Sequence, residues 1–240
     1  MKRKFLFSFF ETPQGKLLQL QEKKYLIHSI SVSCKQTILQ IGGLGWEKDF
    51  IDCTLYKNYS ILDAKGKGCE EAQKICANSF RLPIQSESVD LVLVPHLIEF
   101  DVNRFQTMRE IERVLKPGGD VIILCFNPCN IWVRMQSLWN KKMSDSWRSY
   151  FVSRTRIADW LKLLNFEIKV TSEFSIDSTI NTPEKFSVGR MTFFSMAYAV
   201  KAVKRQYTLI PLTPVKANPS RIVSATVGLK STTHRKNEND

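Results

Sequence analysis

A glycine turn near residue 42 has residue types that could bind a ligand. The stretch Ile38–Trp46, ILQIGGLGW, passes from an apolar run into this turn, as a strand does when it ends beneath a nucleotide-like ligand. Glycine allows the backbone to approach a ligand closely because it has no Cβ. Gln40 stands where many such sites have a carboxylate, and Leu44 and Trp46 interrupt the glycines. The turn therefore indicates a nucleotide-type site or the remnant of one.

Three polar side chains, those of Asp63, Asn78 and His96, follow other apolar runs. The carboxylate of Asp63 can accept hydrogen bonds from two hydroxyl groups at once, and the amide oxygen of Asn78 can accept one from an amino group. The imidazole of His96 has an unperturbed pKa close to neutral, so it can orient a substrate or accept a proton. Binding chemistry is therefore expected to converge at these residues.

No metal site is predicted. The six cysteines form no CxxC pair and show no histidine spacing typical of zinc. We interpret them as reduced thiols, mostly in the core of a cytoplasmic protein. The apolar patch Phe5–Phe10 is too short for the core of a signal peptide. No stretch approaches the roughly eighteen apolar residues of a membrane-spanning helix.

The apolar runs predict alternating strands and helices. Arg104–Leu115 places its apolar residues on one helical stripe before Lys-Pro-Gly-Gly, and Ile157–Leu164 is a second amphipathic helix. Such alternation predicts a doubly wound, mainly parallel α/β sheet, whose ligands bind outside the carboxyl ends of the strands. The strand candidates are Thr37–Ile41, Tyr59–Asp63, Lys74–Ala77, Val89–Val94, 120–126, 166–170 and Phe193–Val203.

Two segments carry a resemblance to a known family. They are CANSFRLPIQSESVDLVLVPHLIEF and MREIERVLKPGGDVIILCFNP. Together they resemble the class I S-adenosylmethionine-dependent methyltransferases with a type 11 methyltransferase domain, which show a Leu-Pro segment, a strand and a Lys-Pro-Gly-Gly helix end in this order. The likeness covers roughly residues 37 to 203. The chain is also similar to the smaller, uncharacterised group of YafS-like proteins, in which the substrate is not established.

The resemblance implies a fold and a reaction. The expected fold is a Rossmann-like, mainly parallel seven-stranded sheet with an antiparallel last strand. The implied cofactor is S-adenosyl-L-methionine, whose methyl group passes to an unknown acceptor by direct displacement in a pocket at the carboxyl ends of the strands. Alignment of the two reactants is then the main source of catalysis, and neither a side-chain nucleophile nor a metal is required.

The glycine turn departs from the family pattern. Gly42 corresponds to the first glycine of the family's acid-x-G-x-G-x-G turn, whereas Gly43 and Gly45 are displaced by one position from the others. Gln40 replaces the acid that helps to hold the cofactor's ammonium group. An amide still accepts a hydrogen bond but has no charge, so we expect weaker binding and expect Gln40→Glu to strengthen it. A turn that merely joins strand to helix is the alternative.

The resemblance also implies roles for residues after the later strands. Asp63 matches the acid that binds the ribose hydroxyls, with an exposed turn aspartate as the alternative. Asn78 replaces the adenine-binding aspartate, and Ser79 would offer its backbone N–H to the ring. Pro95 ends the fourth strand at the cofactor. His96, directly after it, is the candidate catalytic residue, although a hydrogen-bonded structural histidine is the alternative.

The expected organisation has three parts: a helical extension over 1–36, a methyltransferase-like domain over 37–205 and a basic tail without regular structure over 206–240. The net charge is +12, and eight Lys or Arg against two acids follow residue 200. A basic tail could contact nucleic acid or another anionic partner, or it could simply aid solubility. Aromatic and basic residues also alternate in Asn130–Tyr150, where a substrate-covering cap or a packed amphipathic helix is expected.

Two other functions fit less of the sequence. A methyltransferase-fold binding protein without turnover would explain the changes at Gln40, Leu44, Trp46 and Asn78. A nicotinamide oxidoreductase would need a third glycine at position 48, which is a lysine. Methyl transfer is therefore the favoured prediction.

Overall fold

A seven-stranded mixed sheet organises the described part of the chain. The computed structural model describes residues 4–30, 36–52, 55–63, 66, 68–131, 151–175 and 195–206. Its strands are β1 (Thr37–Ile41), β2 (Asn58–Leu62), β3 (Gln73–Ile75), β4 (Val89–Pro95), β5 (Leu115–Phe126), β6 (Phe166–Ser175) and β7 (Ser195–Lys204). They lie in the order β3-β2-β1-β4-β5-β7-β6. The predicted doubly wound sheet is confirmed.

Strand directions follow the prediction. Five strands are parallel to one another: β3, β2, β1, β4 and β5. Strand β7 is antiparallel to both β5 and β6. The register places Gln40 of β1 beside Ile61 of β2 and Leu93 of β4. The carboxyl ends of these three strands therefore meet at one edge of the sheet. The expected antiparallel last strand is confirmed.

Helices cover both faces of the sheet. They are α1 (Lys4–Phe10), α2 (Pro13–Ser29), α3 (Arg104–Val114) and α4 (Arg154–Leu163), and a short 3-10 helix spans Glu47–Asp49. Leu91 and Leu93 pack with α1 and α2 on one face, whereas Val92 and Val94 pack with α3 and α4 on the other. Because successive strand residues point to opposite faces, β4 is apolar on both faces except at Asp90 near its amino end.

A close helix hairpin forms the amino-terminal part. The Thr12 hydroxyl accepts a hydrogen bond from the Gly15 N–H at 3.1 Å and donates one to the Phe9 carbonyl at 2.7 Å. Pro13 follows as the first residue of α2, a position that needs no N–H donor. A Cβ on Gly15 would lie 2.0 Å from the Phe9 carbonyl oxygen. Glycine at position 15 therefore permits the close approach of α1 to α2.

Some elements extend beyond the predicted bounds. β5 begins at Leu115, before the Lys-Pro-Gly-Gly turn, because Leu115 pairs with Val89 and pairing resumes between Asp120 and Leu91. The four intervening residues form a bulge, in which Gly118 has a φ of 79°. β6 continues to Ser175 because it pairs along most of β7. Pairing with a neighbouring strand thus decides where β5 begins and where β6 ends, in spite of the turn residues.

Several predictions fall on residues that are not described. They concern the tail beyond residue 206, most of Asn130–Tyr150, and Cys34 and Cys53. The described elements belong to one compact unit that ends at Gln206. The boundaries 1–36, 37–205 and 206–240 stay a prediction. Among the described helices, none has the length and apolar character needed to cross a membrane.

The central sheet predicts a contrast between two leucines. Leu124 in β5 is 1% exposed, and Leu163 at the end of α4 is 80% exposed. We expect Leu124→Ala to lower the free energy of unfolding by about 2–5 kcal/mol, because it removes buried methyl groups and leaves a cavity. The matched control Leu163→Ala should change it by less than about 0.5 kcal/mol. Urea unfolding measures both, and equal losses would contradict the assigned register of β5.

Candidate functional site

The structure brings the glycine turn, Asp63 and His96 to one edge of the sheet, as predicted from the strand order. The Gly42 N–H donates to the Leu62 carbonyl at 2.7 Å, which fixes the turn to the end of β2. The His96 N–H donates to the Leu124 carbonyl at 2.9 Å, which fixes the end of β4 to β5. These bonds continue the sheet beyond the assigned strands and place the site on rigid backbone.

Asp63 lies inside this edge. Its side chain is 5% exposed, and its Oδ2 accepts a hydrogen bond from the Gly43 N–H at 3.3 Å. Its own N–H donates to the Ile75 carbonyl at 3.1 Å, which joins the ends of β2 and β3. A buried carboxylate beside a glycine turn differs from the exposed turn aspartate of the alternative hypothesis. The arrangement can accept hydrogen bonds from a diol.

Gln40 is fully buried, and its side chain bonds to the protein itself. Its Oε1 accepts from the Tyr59 hydroxyl at 2.7 Å. Its Nε2 donates to the Gly42 carbonyl at 3.0 Å and to the Glu47 carboxylate at 3.0 Å. Gln40 therefore stabilises the turn from beneath.

Glu47 is the residue that the sequence analysis missed. The residue is 1% exposed, and its carboxylate accepts hydrogen bonds from the backbone N–H groups of Leu44 and Gly45 as well as from Gln40. These bonds hold the carboxylate against the turn. No family motif marks this position, because Glu47 follows the interrupted glycines directly after Trp46.

The turn itself combines an open and a packed side. Gly42 and Gly45 have φ values of 98° and 95°, which favour glycine. A Cβ on Gly45 would meet no atom within 4 Å. In contrast, the Leu44 side chain is buried, and the Trp46 ring lies 5.9 Å from that of Phe10. The residues that interrupt the glycines therefore serve the core, and Gly45 borders open space.

The adenine-side candidates lie after β3 and at the end of β4. Asn78 is exposed, and its carbonyl accepts from the Arg81 N–H at 3.2 Å. The Ser79 hydroxyl donates to Asp101 at 2.8 Å. Pro95 is buried as the last residue of β4. The structure leaves the Asn78 side chain accessible, and the proposed roles of Asn78, Ser79 and Pro95 stay predictions.

His96 belongs to a buried charged cluster with Glu22 of α2 and Glu99. Its Nε2 lies 2.8 Å from Glu22 Oε1, and its Nδ1 lies 3.7 Å from Glu99 Oε1, too far for a hydrogen bond. Glu99 also accepts from the Phe126 N–H. The Phe10 ring of α1 packs 5.9 Å from the imidazole. The cluster thus couples both amino-terminal helices to the end of β4.

The protonation state of His96 follows from this cluster. Burial alone would lower its pKa, but the carboxylates of Glu22 and Glu99 outweigh that effect and raise the pKa to about 9. The residue also has a φ of 44°, which is uncommon for a residue other than glycine. The two carboxylates therefore favour the positively charged imidazole at neutral pH.

Comparison with known proteins points to one family. Residues 53–123 match a family model described as a methyltransferase domain. This part of the chain is therefore similar to methyltransferase domains. The uncharacterised protein YafS of Escherichia coli strain K12 is 26% identical to it over 166 residues, which are 69% of this chain and 67% of that protein. The predicted resemblance to type 11 methyltransferases and to YafS-like proteins is confirmed.

Solved structures share the fold of this chain. A Thermotoga maritima S-adenosylmethionine-dependent methyltransferase, described as a possible histamine N-methyltransferase, superposes with a TM-score of 0.59 at 18% identity and covers 79% of this chain and 90% of its own. An S-adenosylmethionine-dependent methyltransferase from Mesorhizobium loti superposes with a TM-score of 0.55 at 15% identity. The match covers 75% of this chain and 96% of that protein. At these identities the likeness concerns the fold alone.

The likeness to methyltransferases implies S-adenosylmethionine as cofactor, and the residues present fit it. A buried carboxylate, that of Asp63, faces the glycine turn, as a ribose diol requires. Negative charge beside the turn comes from Glu47, and Gly45 borders open space. Within the described ranges, no group of His, Cys, Asp and Glu side chains is arranged to hold a metal ion.

The His96 cluster predicts a pH dependence of stability. The pKa of His96 is about 9 in the folded protein and 6.5 in the unfolded chain. Protonated His96 therefore stabilises the fold fully below about pH 6.5, and this contribution is lost as pH rises through about 9. The loss should be on the order of 3 kcal/mol. Urea unfolding between pH 6 and pH 10 measures it.

A matched pair of variants isolates that contribution. Glu22→Gln removes the partner of His96, so the decline in stability between these pH values should become markedly shallower. Glu11→Gln changes an exposed glutamate and should keep the native slope. The same slope for Glu22→Gln and the native protein would show that His96 is not the titrating group.

Proposed function

We propose that this protein is an S-adenosylmethionine-dependent methyltransferase whose cofactor binds at the carboxyl ends of β1, β2 and β4. The observation that carries the proposal is the buried carboxylate of Asp63, placed 3.3 Å from the Gly43 N–H at the end of β2. In a Rossmann-like sheet an acid at this strand end accepts from ribose hydroxyls, as in the dinucleotide folds. Asp63 is therefore assigned to the ribose.

The charge at this edge supports a cationic ligand. The whole chain has a net charge of +12, yet acids gather at the carboxyl ends of the strands. They include the buried Glu22, Glu47, Asp63 and Glu99, against the single positive charge of His96 among them. Buried charges attract an opposite charge more strongly than exposed ones because water screens them less. A ligand with a sulfonium and an ammonium group fits such an edge.

Each site residue then has a role in binding or orientation. Gly42, Gly43 and Gly45 form the turn under the methionine part, with Gln40 beneath it, and Asn78, Ser79 and Pro95 border the adenine. When bound, the cofactor would supply a methyl group activated by its positively charged sulfur, with S-adenosylhomocysteine as the leaving group. Most of the rate enhancement comes from alignment of the two groups.

His96 is proposed to orient the acceptor. A protonated imidazole has no lone pair for a proton, and its pKa of about 9 keeps it protonated at neutral pH. Its Nδ1 is buried, has no hydrogen-bond partner among the described residues and lies 3.7 Å from Glu99 Oε1, so His96 would act on an acceptor through its positive charge. Of the two roles that the sequence suggested, orientation is therefore favoured over proton acceptance.

A binding protein without turnover is the second candidate. Glu47 already occupies two N–H groups of the turn, and α1 places the Phe9 and Phe10 rings over Phe126 and His96. Both features would also suit a domain that no longer transfers methyl groups. The two candidates differ in one respect: only the enzyme has a methyl acceptor, whose reactive atom would be O, N or C.

Two features outside the pocket complete the proposal. A cytoplasmic location is supported by the four described cysteines, Cys69, Cys76, Cys125 and Cys129, which are all free thiols. A contact of the basic tail with a nucleic acid or another anionic partner stays a prediction, since the tail lies beyond the described residues.

Calorimetric titration tests the assignment of Asp63. The native protein should bind S-adenosylmethionine and its demethylated product, S-adenosylhomocysteine. Asp63→Ala removes two hydrogen bonds to a charged group, each worth about 1.5–3 kcal/mol, so affinity should fall about a hundredfold or more. Asp63→Asn should lose less, because the amide oxygen still accepts. The matched control Asp159→Ala, at an exposed position of α4, should bind normally.

Two results would overturn parts of the proposal. Normal binding by Asp63→Ala would remove the ribose role of Asp63. If the native protein bound neither S-adenosylmethionine nor S-adenosylhomocysteine, the proposed enzyme function would be wrong. Incubation of labelled S-adenosylmethionine with a cell extract then separates the two candidates: we expect the native protein, but not Asp63→Ala, to transfer the label, whereas binding without transfer would favour the second candidate.

A further inference from the structure

The backbone N–H groups of the glycine turn converge on one carboxylate. Glu47 Oε1 accepts from the Leu44 N–H at 2.5 Å and from the Gly45 N–H at 3.1 Å, and its Oε2 accepts from the Gly45 N–H at 3.0 Å. These bonds to a charged acceptor are stronger than bonds between neutral groups. Glu47 therefore fixes the path that the turn takes between Gly42 and Gly45.

Gln40 and Glu47 act as one unit with a single negative charge. The Gln40 amide donates to Glu47 Oε1 at 3.0 Å while its oxygen accepts from the Tyr59 hydroxyl at 2.7 Å. An acid at position 40 would place a second buried carboxylate against Glu47 and would lose the donor to the Gly42 carbonyl. Like charges in a buried site repel strongly. The structure thus explains why an amide stands at position 40.

We propose that Glu47 is a cofactor-binding residue, and that it supplies from outside the glycine motif the negative charge that position 40 lacks. This inference rests on the proposed function. Glu47 Oε2 accepts only one hydrogen bond from the described residues, from Gly45, and so has capacity for a further donor. Gly45 borders open space, where a Cβ would meet no atom within 4 Å. The donor that fits is the ammonium group of the amino-acid part of the cofactor.

The proposal reverses the expected effect of restoring an acid at position 40. From the sequence, Gln40→Glu should strengthen binding because it adds charge. In the structure the added carboxylate meets Glu47, so Gln40→Glu should weaken binding and destabilise the turn. The double variant Gln40→Glu/Glu47→Gln exchanges the two groups and keeps one acid and one amide in contact. It should recover affinity.

Two ligands separate a role toward the ammonium from a purely structural role. S-adenosylhomocysteine carries the amino-acid part, whereas 5′-methylthioadenosine has the same adenine and ribose but no ammonium. Glu47→Gln should weaken S-adenosylhomocysteine about tenfold or more and 5′-methylthioadenosine less than about threefold. Asp63→Asn is the matched control, since it should weaken both ligands to a similar extent. Calorimetry on the full chain gives the affinities, and thermal unfolding confirms that each variant is folded.

The outcomes are distinct. Selective loss of S-adenosylhomocysteine in Glu47→Gln, with recovery in the double variant to within about threefold of the native affinity, supports the proposal. Equal loss of both ligands, or no loss of either, overturns it while the proposed function stands. Stronger binding by Gln40→Glu alone would also overturn it. If the native protein binds neither ligand, the proposed function fails and this inference fails with it.

Discussion

The burial of β4 on both faces is the constraint on which the rest of the structure depends. Its residues Val89–Pro95 contact apolar helices above and below the sheet, so no polar group can stand within the strand except at its margins. Asp90 obeys this rule, because its carboxylate lies near the amino end and pairs with Lys116 at 2.7 Å. In β4, polar groups are thereby confined to the ends of the strand.

At the carboxyl ends, each buried acid has to be matched with donors. A buried charge without partners costs several kcal/mol, so it persists only where hydrogen bonds or an opposite charge offset its desolvation. Glu47 meets this demand with backbone N–H groups, and Glu22 meets it with a protonated histidine. These two interactions have different consequences. The bonds to Glu47 shape the glycine turn, whereas the pair of Glu22 and His96 connects α2 to the sheet.

Much of the fold was predictable from local patterns. The apolar run of β4 and the helical stripe of α3 gave nearly the observed bounds, since each depends on residues close together in sequence. The Lys-Pro-Gly-Gly turn was expected to separate α3 from β5, yet β5 starts before it. Pairing with β4 decided that boundary, and strand pairing between distant segments is not visible in a short window.

The candidate site was predictable only in part. Asp63 could be placed because it follows a strand, and strand ends meet at a known edge. Glu47 could not, because its partners are backbone N–H groups whose direction depends on the positive φ values of Gly42 and Gly45. Glu22 lies 74 residues from His96, and nothing in the sequence of α2 marks a buried acid. Charge pairing across such separations is a property of the folded chain alone.

The attachment of α2 has a consequence for how the molecule is made. Gln21 donates to the Ser175 carbonyl at 2.7 Å, and Lys201 donates to the Ser29 carbonyl at 2.9 Å, so a helix made early binds to strands made late. On a ribosome, α2 emerges long before β6 and β7 exist. Its apolar residues share a core with those of β1 and β4, which emerge earlier, but these two hydrogen bonds can form only after most of the chain has been synthesised. Folding is therefore completed only late in translation.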